Sequence, residues 1–195
     1  YAFIEEKLSE IDETMGKAVS FGHGMRILNQ DPWETLISFI ISANNGVTRI
    51  KGIVDKLSKN YGNEIGEFRG KMFYSFPTAE RLAGLSVSDI RACGTGYRDK
   101  YILESARMLA EDGSLLDKIG IMEINDARKV LLNFPGVGPK VADCILLFSM
   151  GRANAFPIDV WVKRVMEYFY LDEINACGNI VGFAEEYFGE LKGFA

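Results

Sequence analysis

A turn too rich in glycine and proline to be helical separates two stretches with helical periodicity. The turn, FPGVGP, covers 134–139; we predict that a helix over 121–133 enters it and that a second helix follows from Pro139 to Met150. Proline suits the first position of a helix, and Gly151 ends this one. Such a turn exposes successive backbone N–H groups beside a helix N-terminus, where a phosphate can bind without a basic side chain.

Two side chains near this turn are candidates for chemistry. Lys140 lies in the first turn of the second helix, where the helix dipole disfavours a cation and so favours a neutral, nucleophilic amine. Asp159 follows Pro157 and precedes an amphipathic run, which predicts an N-cap carboxylate. Taken singly, Lys140 is most often a solvated lysine, Asp159 only a cap, and a Gly-Val-Gly turn often binds nothing. Together, the two groups are candidates for facing a common cleft.

Two further segments carry weaker signals. A helix starts at Asp31-Pro32-Trp33-Glu34 and ends at Asn44-Asn45-Gly46, and composition alone favours a C-terminal cap and turn for the two asparagines. A second glycine-containing loop, Gly94-Thr95-Gly96-Tyr97-Arg98, precedes a helix predicted over Asp99–Glu111. Neither segment identifies a function by itself.

In combination, these segments resemble the helix-hairpin-helix (HhH-GPD) DNA glycosylases. The resemblance is carried by LNFPGVGPKVADCILLF, FPIDVWVKRV and QDPWETLISFIISANN, and it is strongest to the branch of 8-oxoguanine DNA glycosylases with abasic-site (AP) lyase activity. It implies base excision repair with base flipping. Lys140 would attack the sugar carbon and form a Schiff base, Asp159 would assist, and β-elimination would nick the strand.

The resemblance also implies contacts with DNA. It assigns Asn44 to the gap left by the extruded base and Arg49 to the orphaned cytosine, since a short amide can fill a vacated base site and an arginine fork can read a base edge. It assigns Tyr97 to a wedge beside the estranged base and Arg98 to reading that base.

At the hairpin, the resemblance implies a phosphate contact through the backbone N–H groups of Gly136, Val137 and Gly138. It places Cys144 against one face of the flipped base, although a free cysteine on a helix also packs as a small apolar core residue. It further suggests a structural monovalent or similar cation held by the backbone carbonyls of Leu132, Phe134 and Val137. We expect no other cofactor.

Composition narrows the class of protein. The net charge of -5 argues mildly against a protein held to nucleic acid mainly by phosphate neutralisation, unless backbone amides and a few local basic groups make the contacts. Three scattered cysteines, Cys93, Cys144 and Cys177, indicate a reducing, intracellular compartment (cytoplasm or nucleoid in a prokaryote, nucleus in a eukaryote). They also argue against a disulfide framework and against the iron–sulfur cluster of the endonuclease III and adenine glycosylase types.

No apolar run approaches the roughly 18 residues of a membrane span. The chain has a single histidine, His23, so it allows no histidine-based catalytic dyad.

The helical period throughout predicts an all-α fold of two helical lobes with a cleft between them. We expect residues 1–195 to form one HhH-GPD core, with the helix-hairpin-helix at about 123–150, a single helix over 1–20, and no strand. The chain is expected to be a fragment that lacks the N-terminal β domain and the C-terminal end of full-length relatives.

The expected function is that of a bifunctional 8-oxoguanine DNA glycosylase and AP lyase, acting as a monomer on damaged double-stranded DNA with cytosine opposite the lesion. Two alternatives remain open: a non-catalytic helix-hairpin-helix DNA-binding module, and a glycosylase of the same superfamily for another damaged base. The module would have no use for Asp159, Asn44 or Tyr97, and a monofunctional alkylbase glycosylase lacks the lysine that this chain has at Lys140.

Overall fold

The computed structural model gives the backbone of residues 1–195 and all side chains except those of Leu171, Ala176 and Cys177, so one of the three cysteines lies outside the described side chains. The helices in chain order are α1 (Ala2–Ser9), α2 (Glu13–Phe21), α3 (Pro32–Ser42), α4 (Val47–Tyr61), α5 (Ala79–Ala83), α6 (Val87–Ile90), α7 (Asp99–Glu111), α8 (Leu115–Ile121), α9 (Ile124–Leu131), α10 (Pro139–Ser149), α11 (Val160–Cys177) and α12 (Ile180–Tyr187). Two short strands, β1 (Glu64–Phe68) and β2 (Lys71–Tyr74), form an antiparallel pair. With three shorter 3-10 or π-helical segments, Arg91–Thr95, Gly96–Arg98 and Gly189–Leu191, helix accounts for 65% of the chain, which confirms the prediction of a helical fold.

The chain divides into two compact units. The central unit is Asp31–Val141, and the terminal unit combines Tyr1–Gln30 with Ala142–Ala195. The boundary falls within helix α10, between its third and fourth residues. The predicted division into two lobes is therefore confirmed, and the N- and C-terminal segments fold together in one of them.

Helix α3 begins the central unit with the local signals that its sequence predicts. The Asp31 Oδ1 atom accepts a hydrogen bond from the Glu34 N–H at 2.8 Å, and Pro32 occupies the first helical position. The Trp33 indole N–H donates to the Pro77 carbonyl at 2.9 Å, which ties the first turn to the loop before α5. The apolar face that follows is fully buried and comprises Leu36, Ile37, Ile40 and Ile41. Helix α3 is therefore fixed at its start and along its length.

A β-hairpin occupies a segment for which the sequence predicts no strand. Glu64 pairs with Tyr74 and Phe68 with Lys71. Every residue of β1 is exposed, so the strand has no buried face and leaves no apolar–polar alternation in the sequence. A Cβ atom at Gly62 would lie 1.9 Å from the Ser75 carbonyl oxygen, so the chain can enter this hairpin only through a glycine.

Two predicted helices are each interrupted. The helix expected over 1–20 is divided into α1 and α2, because Asp12 is extended (φ -162°) and caps α2. The helix expected over 121–133 is α9 alone, because Glu123 leaves the helical region (ψ 142°) between α8 and α9. Both predictions were based on the spacing of apolar residues. That spacing continues unchanged past a single residue whose backbone leaves the helical conformation, so it does not reveal the interruption.

Asp12 connects the first helices of the terminal unit to the last ones. Its Oδ1 atom accepts from the Met15 N–H at 2.8 Å, and its Oδ2 atom accepts from the Tyr170 hydroxyl at 3.0 Å and the Tyr187 hydroxyl at 3.1 Å. Burial, and then the hydrogen bond to this carboxylate, raise the pKa of Tyr170 above its ordinary value. These groups lie beside the buried apolar cluster of the unit, which includes Leu8, Met15, Met166, Tyr170, Ile174, Phe183 and Phe188.

We expect Asp12→Ala to lower the free energy of unfolding by about 2–3 kcal/mol, because it removes a helix cap and leaves two tyrosine hydroxyls without their acceptor. Asp12→Asn retains an oxygen for the cap and should cost less than half as much. Urea unfolding of the two variants measures the difference. Equal losses in both would show that the cap on Met15 contributes nothing and that the loss comes from the carboxylate's bonds to Tyr170 and Tyr187.

Candidate active site

The end of helix α3 presents the first of the predicted site residues. Asn45 supplies the cap, since its Nδ2 donates to the Ile41 carbonyl at 3.2 Å and its N–H to the Ser42 carbonyl at 3.1 Å. Asn44 is exposed and has a left-handed backbone (φ 50°), and its side chain has no hydrogen-bond partner among the described residues. Both asparagines therefore take part in the helix end, Asn45 through its side chain and Asn44 through its left-handed backbone, and of the two side chains only that of Asn44 is left without a described partner.

Arg49 lies in the first turn of helix α4 and is exposed. Its Nη2 atom is 3.4 Å from the Gly94 carbonyl oxygen, so the side chain spans from α4 to the loop before α7. Within the central unit, the structure thus brings Arg49 together with the loop that carries Tyr97 and Arg98.

The Gly94–Arg98 loop adopts backbone conformations that suit glycine. Gly94 has φ 92° and Gly96 has φ 61°, and both lie in the left-handed half of the Ramachandran plot. This path exposes 58% of Tyr97 but only 4% of Arg98. The two neighbouring side chains, which the sequence analysis assigned to similar contacts, therefore have different surroundings.

The Arg98 guanidinium binds the backbone at the end of α3. Its Nη2 atom donates to the Ala43 carbonyl and lies 3.5 Å from the Asn44 carbonyl oxygen, while Nη1 lies 3.4 Å from the Thr95 carbonyl oxygen. The guanidinium carbon also lies 4.4 Å from the centre of the Tyr97 ring. The assignment of Arg98 to a base stays a prediction; the contacts that the structure gives this side chain are to the protein.

The hairpin between α9 and α10 is a tight turn whose middle is held by one backbone bond. The Val137 N–H donates to the Phe134 carbonyl at 3.0 Å, and both side chains are buried. Gly136 has φ 83° and is exposed. Of the three amides predicted to bind a phosphate, Val137 is already bonded within the turn, whereas those of Gly136 and Gly138 have no partner among the described residues.

The carbonyls proposed for a cation belong to the same turn. The Phe134 carbonyl accepts the Val137 N–H, and a carbonyl oxygen has a second lone pair for another ligand. Neutral carbonyl oxygens are ligands that hard cations accept, so the donor set of Leu132, Phe134 and Val137 fits the predicted ion. No group of three or more histidine, cysteine or acidic side chains that could hold a metal occurs in the described part of the chain.

Lys140 is the second residue of helix α10 and is half-buried. Its Nζ atom lies 5.3 Å from the centre of the Phe39 ring, which comes from helix α3 of the same unit. The predicted position in the first helical turn is confirmed. The aromatic neighbour was not predicted, because nothing in the sequence connects α3 to α10.

The terminal unit carries Asp159 and Cys144. Asp159 is exposed and caps helix α11, with its Oδ1 atom accepting from the N–H groups of Trp161 and Val162, each at 2.8 Å. The Oδ2 atom has no hydrogen bond from a described residue. Cys144 is 2% exposed on α10 and is not in a disulfide. The predicted cap is confirmed, and the burial of Cys144 is compatible with both of its interpretations.

The acidic balance of the chain is not shared evenly by the two units. The central unit has 15 lysines and arginines against 14 aspartates and glutamates, and the terminal unit has 7 against 13. The net charges are therefore +1 and -6, which together give the -5 of the whole chain. The unit that holds Asn44, Arg49, Tyr97 and the hairpin does not carry the negative charge that argued against nucleic acid.

We expect Arg98→Met to lower the free energy of unfolding by about 2–3 kcal/mol, because carbonyls at the end of α3 lose a charged donor. Hydrogen exchange at the backbone amides of residues 43–49 should accelerate in the same variant. Arg107→Met changes an exposed arginine of α7 and serves as the matched control. Unchanged exchange at 43–49 would contradict a bracing role for Arg98.

Comparison with known proteins identifies the family. The model of the HhH-GPD superfamily base excision DNA repair proteins matches residues 37–176, and the model of the 8-oxoguanine DNA glycosylase N-terminal domain matches residues 1–36. The second match covers α1, α2 and the first residues of α3, a segment whose sequence by itself shows no sign of that domain. No helix in the described part of the chain is both long and apolar enough to span a membrane.

Individual relatives agree with the family models. A probable N-glycosylase/DNA lyase of Methanothermobacter thermautotrophicus is 34% identical over all of this chain, and the N-glycosylase/DNA lyase of Saccharomyces cerevisiae is 41% identical over 78% of it. The chain spans 66% and 43% of the lengths of these relatives, less than two thirds of each. The solved structure of Clostridium acetobutylicum 8-oxoguanine glycosylase/lyase, in complex with double-stranded DNA containing cytosine opposite 8-oxoguanine, is 40% identical with a TM-score of 0.87. The match covers 100% of this chain and 66% of that one. The chain belongs to the HhH-GPD superfamily of base excision DNA repair proteins, in its 8-oxoguanine DNA glycosylase branch.

Proposed function

We propose that this chain is the helical core of a DNA glycosylase with AP lyase activity that removes 8-oxoguanine opposite cytosine. The observation that carries the proposal is the position of Lys140: a half-buried amine in the first turn of the helix that follows the hairpin, in a chain of the 8-oxoguanine DNA glycosylase branch. A monofunctional glycosylase or a binding module has no use for a nucleophile at this position.

The chemistry divides one difficult substitution into easier steps. The Lys140 amine attacks the anomeric carbon, the bond from that carbon to the base breaks, and the base leaves with a proton. The C1′–O4′ bond of the sugar then breaks as a proton moves from the nitrogen to O4′, which gives the open-chain Schiff base. Removal of a C2′ proton then expels the 3′ phosphate by β-elimination and nicks the strand, and water releases the lysine.

Asp159 is proposed to stabilise the positive charge that develops on the sugar. Two backbone N–H groups hold its Oδ1 atom, so the carboxylate keeps a fixed orientation while Oδ2 is available. A preoriented charge costs no reorganisation during the reaction, which makes it effective in the transition state.

DNA is proposed to bind through backbone and side-chain contacts of different kinds. The amides of Gly136 and Gly138 would bind a phosphate at the N-terminus of α10. Asn44 and Tyr97 are both exposed and would occupy the space of the extruded base, and Arg49 would contact the orphaned cytosine. A structural cation bound by the carbonyls of the hairpin would stabilise the turn and add positive charge near the phosphate.

The proposal also specifies the substrate, which is 8-oxoguanine paired with cytosine. It is supported by the Clostridium acetobutylicum relative, whose structure was solved with that base pair. Cys144, buried one helical turn after Lys140, is proposed to contact the base. The alternative is another damaged base, since a DNA-3-methyladenine glycosylase of Bacillus subtilis is 28% identical over 70% of this chain. We further propose that the protein acts as a monomer, inside the cell, on damaged double-stranded DNA.

Borohydride trapping tests the nucleophile. The chain should form a covalent complex with an abasic-site duplex and with an 8-oxoguanine:cytosine duplex, and Lys140→Gln should abolish both complexes. Lys129→Gln, which changes an exposed lysine of α9 that is paired with Asp126, is the matched control and should trap like the unmodified chain. Trapping on the abasic duplex alone would retain the lyase and reject the base preference. DNA binding without any trapping would leave a binding module.

Asp159→Asn separates catalysis from folding. Asparagine also caps helices well, so we expect the melting temperature to stay within about 2 °C of the original. Single-turnover base excision should nevertheless slow by about a hundredfold, because the charge near the sugar is lost. Excision at the original rate would show that Asp159 acts only as a cap.

A further inference from the structure

Tyr101 contacts two segments that are proposed to bind DNA, the loop that carries Tyr97 and the hairpin turn at Gly136. It is in the first turn of α7 and is half-buried. Its ring meets the ring of Tyr97 edge to face, with centroids 6.1 Å apart and planes at 82°. Tyr97 is the exposed aromatic side chain that is assigned to the wedge. Tyr101 therefore packs against the proposed wedge residue.

The Tyr101 ring also packs against the hairpin turn at Gly136. A Cβ atom at Gly136 would lie 2.8 Å from Cδ2 of Tyr101, closer than real Cβ atoms approach. Gly136 therefore meets two demands, a left-handed backbone at φ 83° and direct contact with an aromatic ring. Any side chain at this position would push Tyr101 away from the turn or the turn away from Tyr101.

Arg98 also contacts the Tyr97 ring. The Arg98 guanidinium lies 4.4 Å from the centre of the Tyr97 ring and binds the carbonyl of Ala43 at the end of α3. A side chain that is 58% exposed would ordinarily sample several rotamers and lose that freedom on binding. Contacts from Arg98 and Tyr101 restrict Tyr97 before any ligand arrives.

We propose that Tyr101 is a positioning residue that fixes the distance between the Tyr97 wedge and the phosphate-binding turn at Gly136. The proposal rests on the proposed function and adds a residue to it. A phosphate held by the hairpin defines where the DNA backbone lies, and Tyr101 then determines where the wedge enters the base stack. The contacts of Tyr101 matter because catalysis depends on precise positioning. A displacement of the Tyr97 ring by about 1 Å would change the position of the extruded nucleotide relative to the reacting groups.

The role predicts a separation of the two activities. Base excision from an 8-oxoguanine:cytosine duplex requires a stacked base to leave the helix, whereas the lyase reaction on an abasic duplex does not. Tyr101→Leu should therefore slow single-turnover excision roughly three- to tenfold, the range expected for loss of an aromatic pair. Borohydride trapping on the abasic duplex should stay within about twofold of the unmodified chain. Tyr101→Phe keeps the ring, and since the hydroxyl has no described partner, it should behave as the unmodified chain.

A double-mutant cycle shows whether Tyr101 acts through Tyr97. Tyr97→Ala with Tyr101→Leu should excise no more slowly than Tyr97→Ala alone, because the supported group is already gone. The fluorescence of 2-aminopurine beside the lesion gives an independent readout, and its rise on base extrusion should slow in Tyr101→Leu. If Tyr101→Leu does not fold, Tyr101→Met, which retains more volume, is used in the same cycle.

Three results would overturn the positioning role: additive effects in the cycle, equal loss of excision and of abasic trapping, or excision at the original rate in Tyr101→Leu. These outcomes are distinct from failure of the proposed function, which would appear as an unmodified chain that traps neither duplex.

Discussion

A buried arginine holds together the segments that are assigned to DNA. Arg98 is 4% exposed, and burial of a guanidinium is unfavourable unless its donors are bonded; both Nη atoms have acceptors, whereas Nε has none among the described residues. Carbonyl oxygens of Ala43 and Thr95 accept from it, and they belong to the end of α3 and to the loop before α7. Asn44 follows Ala43 and Tyr97 precedes Arg98, and both side chains are exposed. The bond between Arg98 and the Ala43 carbonyl therefore fixes the positions of Asn44 and Tyr97 relative to each other.

The first turn of α7 extends this brace to the hairpin. Tyr97, Arg98 and Tyr101 lie within five residues, and their side chains reach the end of α3 and the turn at Gly136. The turn itself uses the Val137 amide to close on Phe134, which leaves the glycine amides on either side of Val137. A short helical segment thus determines the relative positions of groups that lie almost a hundred residues apart in sequence.

The features that sequence reasoning predicted correctly are those set by neighbouring residues. Asp31 and Asp159 were identified as helix caps, and Pro139 as a helix start, because a cap or a first-turn proline acts within one turn. The β-hairpin gave no signal because neither face of β1 is buried. The burial of Arg98 and the contact of Tyr101 with Gly136 depend on how distant segments pack, so spacing along the chain could not have revealed them.

The distribution of charge over the two units is compatible with the proposed binding of DNA by an acidic chain. Affinity that comes from phosphate neutralisation needs many cations, whereas amides at a helix N-terminus bind a phosphate with partial charges that do not appear in a count of side chains. The central unit is close to neutral and carries such amides at Gly136 and Gly138. The terminal unit holds the excess acid together with Asp159, whose carboxylate is proposed to stabilise positive charge that develops on a sugar.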